Sequence, residues 1–305
     1  MGQTQNTTDS PFFTVIIPTH NRSNLLNRAV TSVLDQTFED FEIIIVDDHS
    51  TDDTSSAVKL FSDPRIHHML NNRTKGACGA RNVGILSAKG KWVAFLDDDD
   101  VWLPEKLKFQ YELAQRVDKN VGLICTDYGI YKEKKDNPVI RKNRPSGWVS
   151  DKLLYGGIIA CLSSVCVRTE VLKAIEGFDE CFPSSQDQDL YLRVAELSQF
   201  AHVPKTLVHI YQEPRNRIGQ NSKSKLEGYI MFRNKYSALI NQSLRLRYRH
   251  ESRIFTYALL QNERSLVLKC LPWVLLGILV NLHDLLLTIR KTFLLALRKR
   301  NELNL

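Results

Sequence analysis

Lys91-Trp92-Val93-Ala94-Phe95-Leu96-Asp97-Asp98-Asp99-Asp100 is the stretch from which the fold can be worked out. Its apolar run, rich in aromatic and branched side chains, has the pattern of a buried strand. The run stops in four consecutive carboxylates. Adjacent like charges repel, and a buried carboxylate with no partner is costly. Such a cluster is tolerated only at an exposed strand end, in solvent or around a cation. A hard divalent ion suits it, because such ions keep some water and take one or two carboxylates together with phosphate oxygens. The plainer reading is a solvated acidic turn before a helix opened by Pro104 and Glu105.

On the N-terminal side, strand and helix patterns alternate. Phe12 to Ile17 is a continuous apolar run closed by Pro18, as in a strand covered on both faces. After the polar loop Thr19-His20-Asn21-Arg22-Ser23, Leu25, Leu26, Ala29, Val30, Val33 and Leu34 recur at helical spacing. Phe41 to Val46 is a second strand, ending in Asp47-Asp48. A helix through Ala57, Val58, Leu60 and Phe61, a weak strand from Ile66 to Leu70 and a helix opened by Gly76 to Gly84 follow. Alternation with short links predicts a largely parallel sheet with helices on both faces. Ligands of open α/β sheets bind beyond the carboxyl ends of the strands. Pro18-Thr19, Asp47-Asp48 and Asp97 to Asp100 are therefore expected to meet in one crevice.

On the C-terminal side, a helix runs to about Arg116. Strands are expected at Val121 to Thr126, Ser163 to Val167, Ala201 to Val203 and Leu207 to Tyr211. The polar, basic segment 131–147 reads as a long hairpin or loop, and 212–225, with Arg215 and Arg217, as another. Between them an amphipathic helix begins at Gln186-Asp187-Gln188-Asp189, with acids at its start. Helices dominate from Leu226 onward. Residues 1–225 carry 28 Lys and Arg against 29 Asp and Glu, whereas 226–305 carry 13 against 5, so the whole net charge of +7 resides in the tail. That tail is strongly apolar from Leu266 to Leu297, but Pro272, His283-Asp284 and Arg290-Lys291 interrupt it. It lacks the roughly 20 unbroken apolar residues that span a bilayer. We read amphipathic helices lying on an anionic membrane face, with Trp273 near the interface. The other reading is a helical hairpin packed on the main domain or on a second copy in a homodimer. Basic residues interleaved with Leu rather than with stacking aromatics exclude nucleic acid as the partner. Six scattered cysteines without a C-x-x-C pair argue against zinc and for reduced, buried thiols in a cytoplasmic protein. The polar segment 1–11 is expected to be flexible, and its first ten residues lack the order of a secretory signal.

Taken in order, these segments resemble the GT-A-fold glycosyltransferases of family 2. Val15 to Arg22 is similar to the family's opening motif, and Ser32 to Thr37 with Phe41 to Asp53 to its helix and acidic turn. Gly79-Ala80-Arg81-Asn82-Val83-Gly84 is similar to A-R-N-x-G, and Phe95 to Asp100 to the D-x-D metal motif. Gly177-Phe178-Asp179-Glu180 and Gln186 to Arg193 are similar to the acceptor-side motifs. The resemblance covers residues 12–225. It implies a Rossmann-like mixed sheet, with 12–105 binding a nucleotide sugar, 106–225 serving the acceptor, and 226–305 a helical extension.

It further implies an inverting transfer from a nucleotide sugar, usually a UDP-sugar, to a hydroxyl of a lipid-linked or cell-surface glycan. The enzyme would be peripheral to the cytoplasmic face of the inner membrane. A divalent ion, Mn2+ or Mg2+, would neutralise the departing diphosphate. By similarity Asp99 is the direct ligand and Asp97 acts through water or the ribose. Asp98 occupies the variable position, and Asp100 supports the cluster. Asp47 matches the acid that accepts the uracil N–H, since a carboxylate only accepts. Asp48, Pro18, Thr19, Asn21 and Arg22 line the nucleotide side, and Arg81 pairs either with phosphate or with the acids. Asp187 matches the base that deprotonates the acceptor hydroxyl. Gln186 stands where Glu is common, and Asp179, Gln186 and Asp189 are acceptor-side or supporting residues. Asp189 is equally readable as a plain helix cap. His49 replaces a frequent Gly, and His is tolerated at positive φ. No His follows Tyr211 up to Gln220, so Arg215 or Arg217 would serve the diphosphate. A dehydrogenase would need G-x-G-x-x-G after the first strand, which is absent. Pro18 to Asn21 also does not resemble the phosphate loop of a nucleotidyltransferase. A degenerate transferase acting as a scaffold is the remaining alternative, opposed by Asp47, Asp99 and Asp187 all being present.

Overall fold

A computed structural model describes residues 10–131, 137–156, 158–211, 221–280, 286, 289–290 and 292–294. The strands are β1 (Phe13–Thr19), β2 (Phe41–Asp47), β3 (Ile66–Leu70), β4 (Trp92–Phe95), β5 (Asp100–Trp102), β6 (Val121–Tyr131), β7 (Val139–Arg141), β8 (Val165–Arg168) and β9 (Gln199–Tyr211). They form one sheet in the order β3-β2-β1-β4-β8-β6-β9-β5, with β7 paired to β6. The expected parallel arrangement holds for β1 to β4. Beyond β4 the sheet is mixed: β8 is antiparallel to both β4 and β6, β9 parallel to β6, and β5 antiparallel to β9. The short strands expected at 201–203 and 207–211 are one bulged strand, β9, and β6 continues to Tyr131 beside it.

The helices of this part are α1 (Ser23–Leu34), α2 (Thr54–Lys59), α3 (Ala77–Ser87), α4 (Lys106–Ala114), α5 (Ser150–Tyr155), α6 (Thr169–Ala174) and α7 (Gln186–Leu197). β1, β2 and β4 are buried throughout, as uninterrupted apolar strands require when both faces are covered. Phe13, Val15, Ile17, Ile43 and Ile45 pack with Leu26, Ala29 and Val33 of α1. Ile44 and Val46 face Ala80 and Val83 of α3. A methyl group on Gly84 would come within 2.7 Å of Ile16, so this glycine lets α3 lie directly on β1. Pro18 does not end β1, which runs on to Thr19. β4 pairs with β1 only as far as Ile16, so Pro18 sits where β1 has β2 alone as a neighbour.

The chain divides into two compact units, residues 1–180 with 190–214, and 181–189 with 215–305. The second contains α8 (Ser222–Lys235), α9 (Ser237–Ile240), α10 (Leu244–Gln261) and α11 (Arg264–Val280). Asn221 and Ser243 cap α8 and α10 through their side-chain oxygens, and Asn262 ends α10 in the left-handed region. Leu226, Ile254, Tyr257, Ala258 and Cys270 form its core. Buried Glu251 accepts from Arg233 Nη1 at 2.8 Å and from the Cys270 thiol at 3.2 Å. Trp273 carries the Arg247 guanidinium 3.9 Å from its ring centroid. Leu268, Leu275, Leu286, Ile289, Phe293 and Leu294 are exposed. Among the described residues no helix is long and apolar enough to cross a membrane.

Candidate active site

Three strand ends meet as the order β2-β1-β4 dictates, and Thr19 joins them. Its carbonyl accepts from the Asp48 N–H at 2.8 Å, and its hydroxyl donates to Asp98 Oδ2 at 2.9 Å. After β4, Asp97 to Asp100 make a tight turn closed by the Asp100 N–H on the Asp97 carbonyl at 3.1 Å. Asp is favoured in such turns. The turn separates the four carboxylates: Asp97 and Asp99 are partly exposed, while Asp98 and Asp100 are buried. Asp100 is not the last residue of a wet turn but the first of β5.

Each carboxylate has a definite partner. Arg81 Nη2 donates to Asp97 Oδ1 at 2.6 Å. Arg22 Nη1 lies 3.0 Å from Asp98 Oδ1 and 3.7 Å from Asp99 Oδ2. Burial pushes the Asp98 carboxyl up to about 6, with Arg22 pulling it back and Asp99 adding to the rise. Asp98 thus anchors Thr19 and Arg22. Ser163 donates to Asp100 Oδ2 at 2.6 Å. One oxygen each of Asp97, Asp99 and Asp100 lie within 4.8 Å of one another. Three carboxylate oxygens are the ligand chemistry that Mg2+ or Mn2+ takes, so the residues fit such an ion.

The acids after β2 are built differently. Asp47 Oδ1 accepts from the Ser50 N–H at 2.8 Å, while Oδ2 lies 3.9 Å from His68 Nε2. Asp48 accepts from Asn71 Nδ2 at 2.6 Å and from the Gly76 N–H at 2.8 Å. His49 between Asp48 and Ser50 has φ +62°, so the turn survives without glycine. Asn21 is exposed, with its Oδ1 accepting from the Thr51 N–H at 2.7 Å, and it braces this loop.

The A-R-N-x-G and G-F-D-E segments are one joint. Asn82 Oδ1 accepts from the Phe178 N–H at 2.7 Å, and its Nδ2 donates to the Phe178 carbonyl at 2.9 Å and to Glu180 Oε1 at 2.7 Å. Gly177 has φ +70°, and a methyl group there would sit 2.3 Å from Asn82 Oδ1. Burial alone would raise the Glu180 carboxyl, but donors from Asn82, Thr74 and Arg73 outweigh it and hold it at about 2. Arg193 Nη1 closes the joint on the carbonyls of Ile175 and Gly177, at 2.8 and 2.7 Å. Asp179 lies partly exposed in this turn.

Asp187 and Gln186 belong to the second unit and are partly exposed in the first turn of α7. Asp187 Oδ1 accepts from the Gln188 N–H at 2.8 Å. Asp189 is more than a cap: fully buried, its Oδ1 accepts from the Tyr236 hydroxyl and from Lys235 Nζ, both at 2.7 Å. Arg215 and Arg217 lie outside the described residues. Sequence reading missed Ser163, which reaches the acids from a distant turn, and Arg28, whose Nη2 donates to the Asp99 carbonyl at 2.7 Å. Arg28 sits at helical spacing on α1, and nothing in its neighbours signalled the contact.

This arrangement defines a mixed α/β sheet with an acidic, arginine-paired cluster at the ends of its parallel strands, the architecture of GT-A transferases. A family model described as Glycosyl transferase family 2 matches residues 14–172, and the chain belongs to that family of glycosyltransferases. It is similar to the Escherichia coli UDP-Glc:alpha-D-GlcNAc-diphosphoundecaprenol beta-1,3-glucosyltransferase WfgD, 34% identical over 60% of this chain and 69% of the relative. Among solved structures it is similar to S. aureus TarS 1-349 in complex with UDP-GlcNAc, with a TM-score of 0.58 at 20% identity over 73% of this chain and 66% of that one. It is also similar to the mannosyltransferase PcManGT from Pyrobaculum calidifontis in complex with GDP-Man and Mn2+. There the TM-score is 0.60 at 17% identity over 95% of this chain and 85% of that one.

Proposed function

We propose that this glycosyltransferase moves a sugar, with inversion and with a divalent metal, from a UDP-sugar to a hydroxyl of a lipid-linked glycan precursor in polysaccharide biosynthesis. The observation that carries the reading is the set of Asp97, Asp99 and Asp100 oxygens within 4.8 Å of one another. These residues would hold Mn2+ or Mg2+, Asp99 directly, and the ion would neutralise charge on the departing diphosphate. Arg22 and Arg81, paired with the acids, stand ready to exchange a carboxylate for a phosphate oxygen. Thr19 and Pro18 border the nucleotide. Asp47 Oδ2, the oxygen not engaged by Ser50, accepts the uracil N–H, while Asp48 shapes the turn around it. Asp187 takes the acceptor's proton as the hydroxyl oxygen bonds to the anomeric carbon and the bond to the diphosphate breaks. Asp179 and Gln186 border the acceptor. UDP-glucose and a diphosphoundecaprenol-linked sugar in the name of the bacterial relative support the donor and acceptor class. GDP-Man in the PcManGT structure makes the base the point to test.

The exposed Leu268, Leu275, Ile289 and Phe293, with 13 basic against 5 acidic residues in 226–305, support docking of the tail on the cytoplasmic, anionic face of a membrane. The test is release of nucleoside diphosphate across a panel of sugar donors, with and without Mn2+, before and after adding lipid-linked acceptor. Metal-dependent release from one UDP-sugar is expected. Asp187→Ala should keep UDP binding and lose transfer by about 10²–10⁴-fold. Failure to bind UDP in the presence of Mn2+ would reject the reading.

A further inference from the structure

We propose that Ser163 is a positioning residue, one that sets the acidic turn in the shape a divalent ion requires. The proposal rests on the metal-dependent reading above. Ser163 lies in the 3₁₀ turn Leu162–Ser164, directly before β8, and is wholly buried. β8 is the antiparallel neighbour of β4, with Cys166 opposite Ala94, so this turn arrives where the chain leaves the sheet for the acids. Ser163 then grips the acidic loop at three points. Its Oγ accepts from the Asp97 N–H at 3.1 Å and donates to Asp100 Oδ2 at 2.6 Å. Its carbonyl accepts from Trp102 Nε1 at 2.8 Å.

A hydroxyl donates and accepts at one atom, so a single small side chain can hold both the first and the last acid of the run. The bond to Asp100 fixes which way that carboxylate turns, and the bond from Asp97 fixes where the turn begins. Without them the like-charged carboxylates would relax away from one another rather than stay within reach of one ion. Partners outside the ligand set orient ligands in this way in metal sites generally. The adjacent Ser164 provides an internal contrast. It is equally buried and lies in the same turn, but its hydroxyl donates to the Cys161 carbonyl at 2.7 Å and accepts from Asn143 at 3.1 Å, away from the acids.

The test compares Ser163→Ala, Ser163→Cys and Ser164→Ala by titrating Mn2+ into full-length protein with UDP. Free Mn2+ is followed by electron paramagnetic resonance, and melting temperature is measured alongside. Ser163→Ala should weaken Mn2+ binding by about 10- to 100-fold, with Ser163→Cys between it and wild type because a thiol is a poorer donor. Ser164→Ala should bind Mn2+ as wild type does, even where its melting temperature falls. Wild-type Mn2+ affinity in Ser163→Ala would overturn the proposal. So would an equal loss in Ser164→Ala, which would mark general loosening of the turn. Should Ser163→Ala not fold, Ser163→Cys against wild type decides by the same criterion. If wild type itself binds no Mn2+ with UDP, the metal reading falls and this proposal falls with it; a loss confined to the Ser163 variants leaves that reading standing.

Discussion

After β2 the chain turns through Asp47 and Asp48, and after β4 through Asp97 to Asp100. In sequence the two places look alike, each an apolar strand running into adjacent acids. Their surroundings differ. The first pair accepts from uncharged donors, the N–H groups of Ser50 and Gly76 and the amide of Asn71. The second set is matched by Arg81 and Arg22 and leaves three carboxylates facing one point. Backbone donors satisfy a carboxylate in place and make it part of the turn. A guanidinium matches a carboxylate by charge, so an ion or a phosphate can compete for either side of the pair. One acidic end is therefore tied into its own turn, whereas the other is matched by charge.

The largest expected effect tests the second half of that contrast. Asp99→Ala should lower kcat/KM by about a thousandfold or more, since a bound ion supplies several kcal/mol to the departing charge. Its urea midpoint should stay close to wild type, because Asp99 is partly exposed and its removal relieves repulsion. Asp48→Ala should do the reverse. It leaves the Gly76 N–H and one N–H of Asn71 Nδ2, whose other bond goes to the Thr74 carbonyl at 3.0 Å, without an acceptor, a loss of about 2–4 kcal/mol of stability. A stable Asp48→Ala protein would break the comparison.

Asp47 sharpens it, as the one acid at the structural end that is also proposed to read the base. Asp47→Asn keeps an oxygen for the Ser50 N–H, so stability should hold. The amide then presents N–H towards a uracil N–H, and KM for the UDP-sugar should rise about tenfold with kcat little changed, the value of one mismatched hydrogen bond. Unchanged KM would move base recognition elsewhere.

How far this contrast was legible in sequence follows from what each signal encodes. Continuous apolar runs located β1, β2 and β4, and the helical spacing of Leu26, Ala29, Val30 and Val33 located α1. Alternating strand and helix placed Thr19 and the two acidic ends together, because parallel strands bring their carboxyl ends to one edge, while Arg81 entered only through the resemblance. What stayed hidden is contact across long sequence separation. Asn82 meets Phe178, and Ser163 meets Asp97 and Asp100, through pairings that no local pattern carries. The grouping of 181–189 with 215–305 was equally invisible, because it joins segments far apart in sequence. The strand β5 was missed because it is three residues long and begins with an acid.

Lys106 extends the comparison to a buried charge with no charged match in its first contacts. Its ammonium group donates to Gln110 Oε1 at 2.8 Å and lies 3.7 Å from the Trp102 ring centroid, fully buried. Burial pulls its pKa down to about 7, with the nearby cysteines opposing. In the unfolded chain a lysine titrates near ~10.4. Between about 7 and 10 the unfolded chain therefore binds more protons than the folded one, so this group makes stability rise with pH across that window. Below 7 both states are protonated and the folded state carries the full cost of a buried cation. Lys106→Met removes that cost and keeps the volume. The variant should melt above wild type at pH 6, by about 2–4 °C for each kcal/mol recovered, and the gap should shrink as pH climbs towards 9. A gap that stays constant with pH would mean that Lys106 keeps its proton in the folded chain throughout that range, so that burial does not lower its pKa.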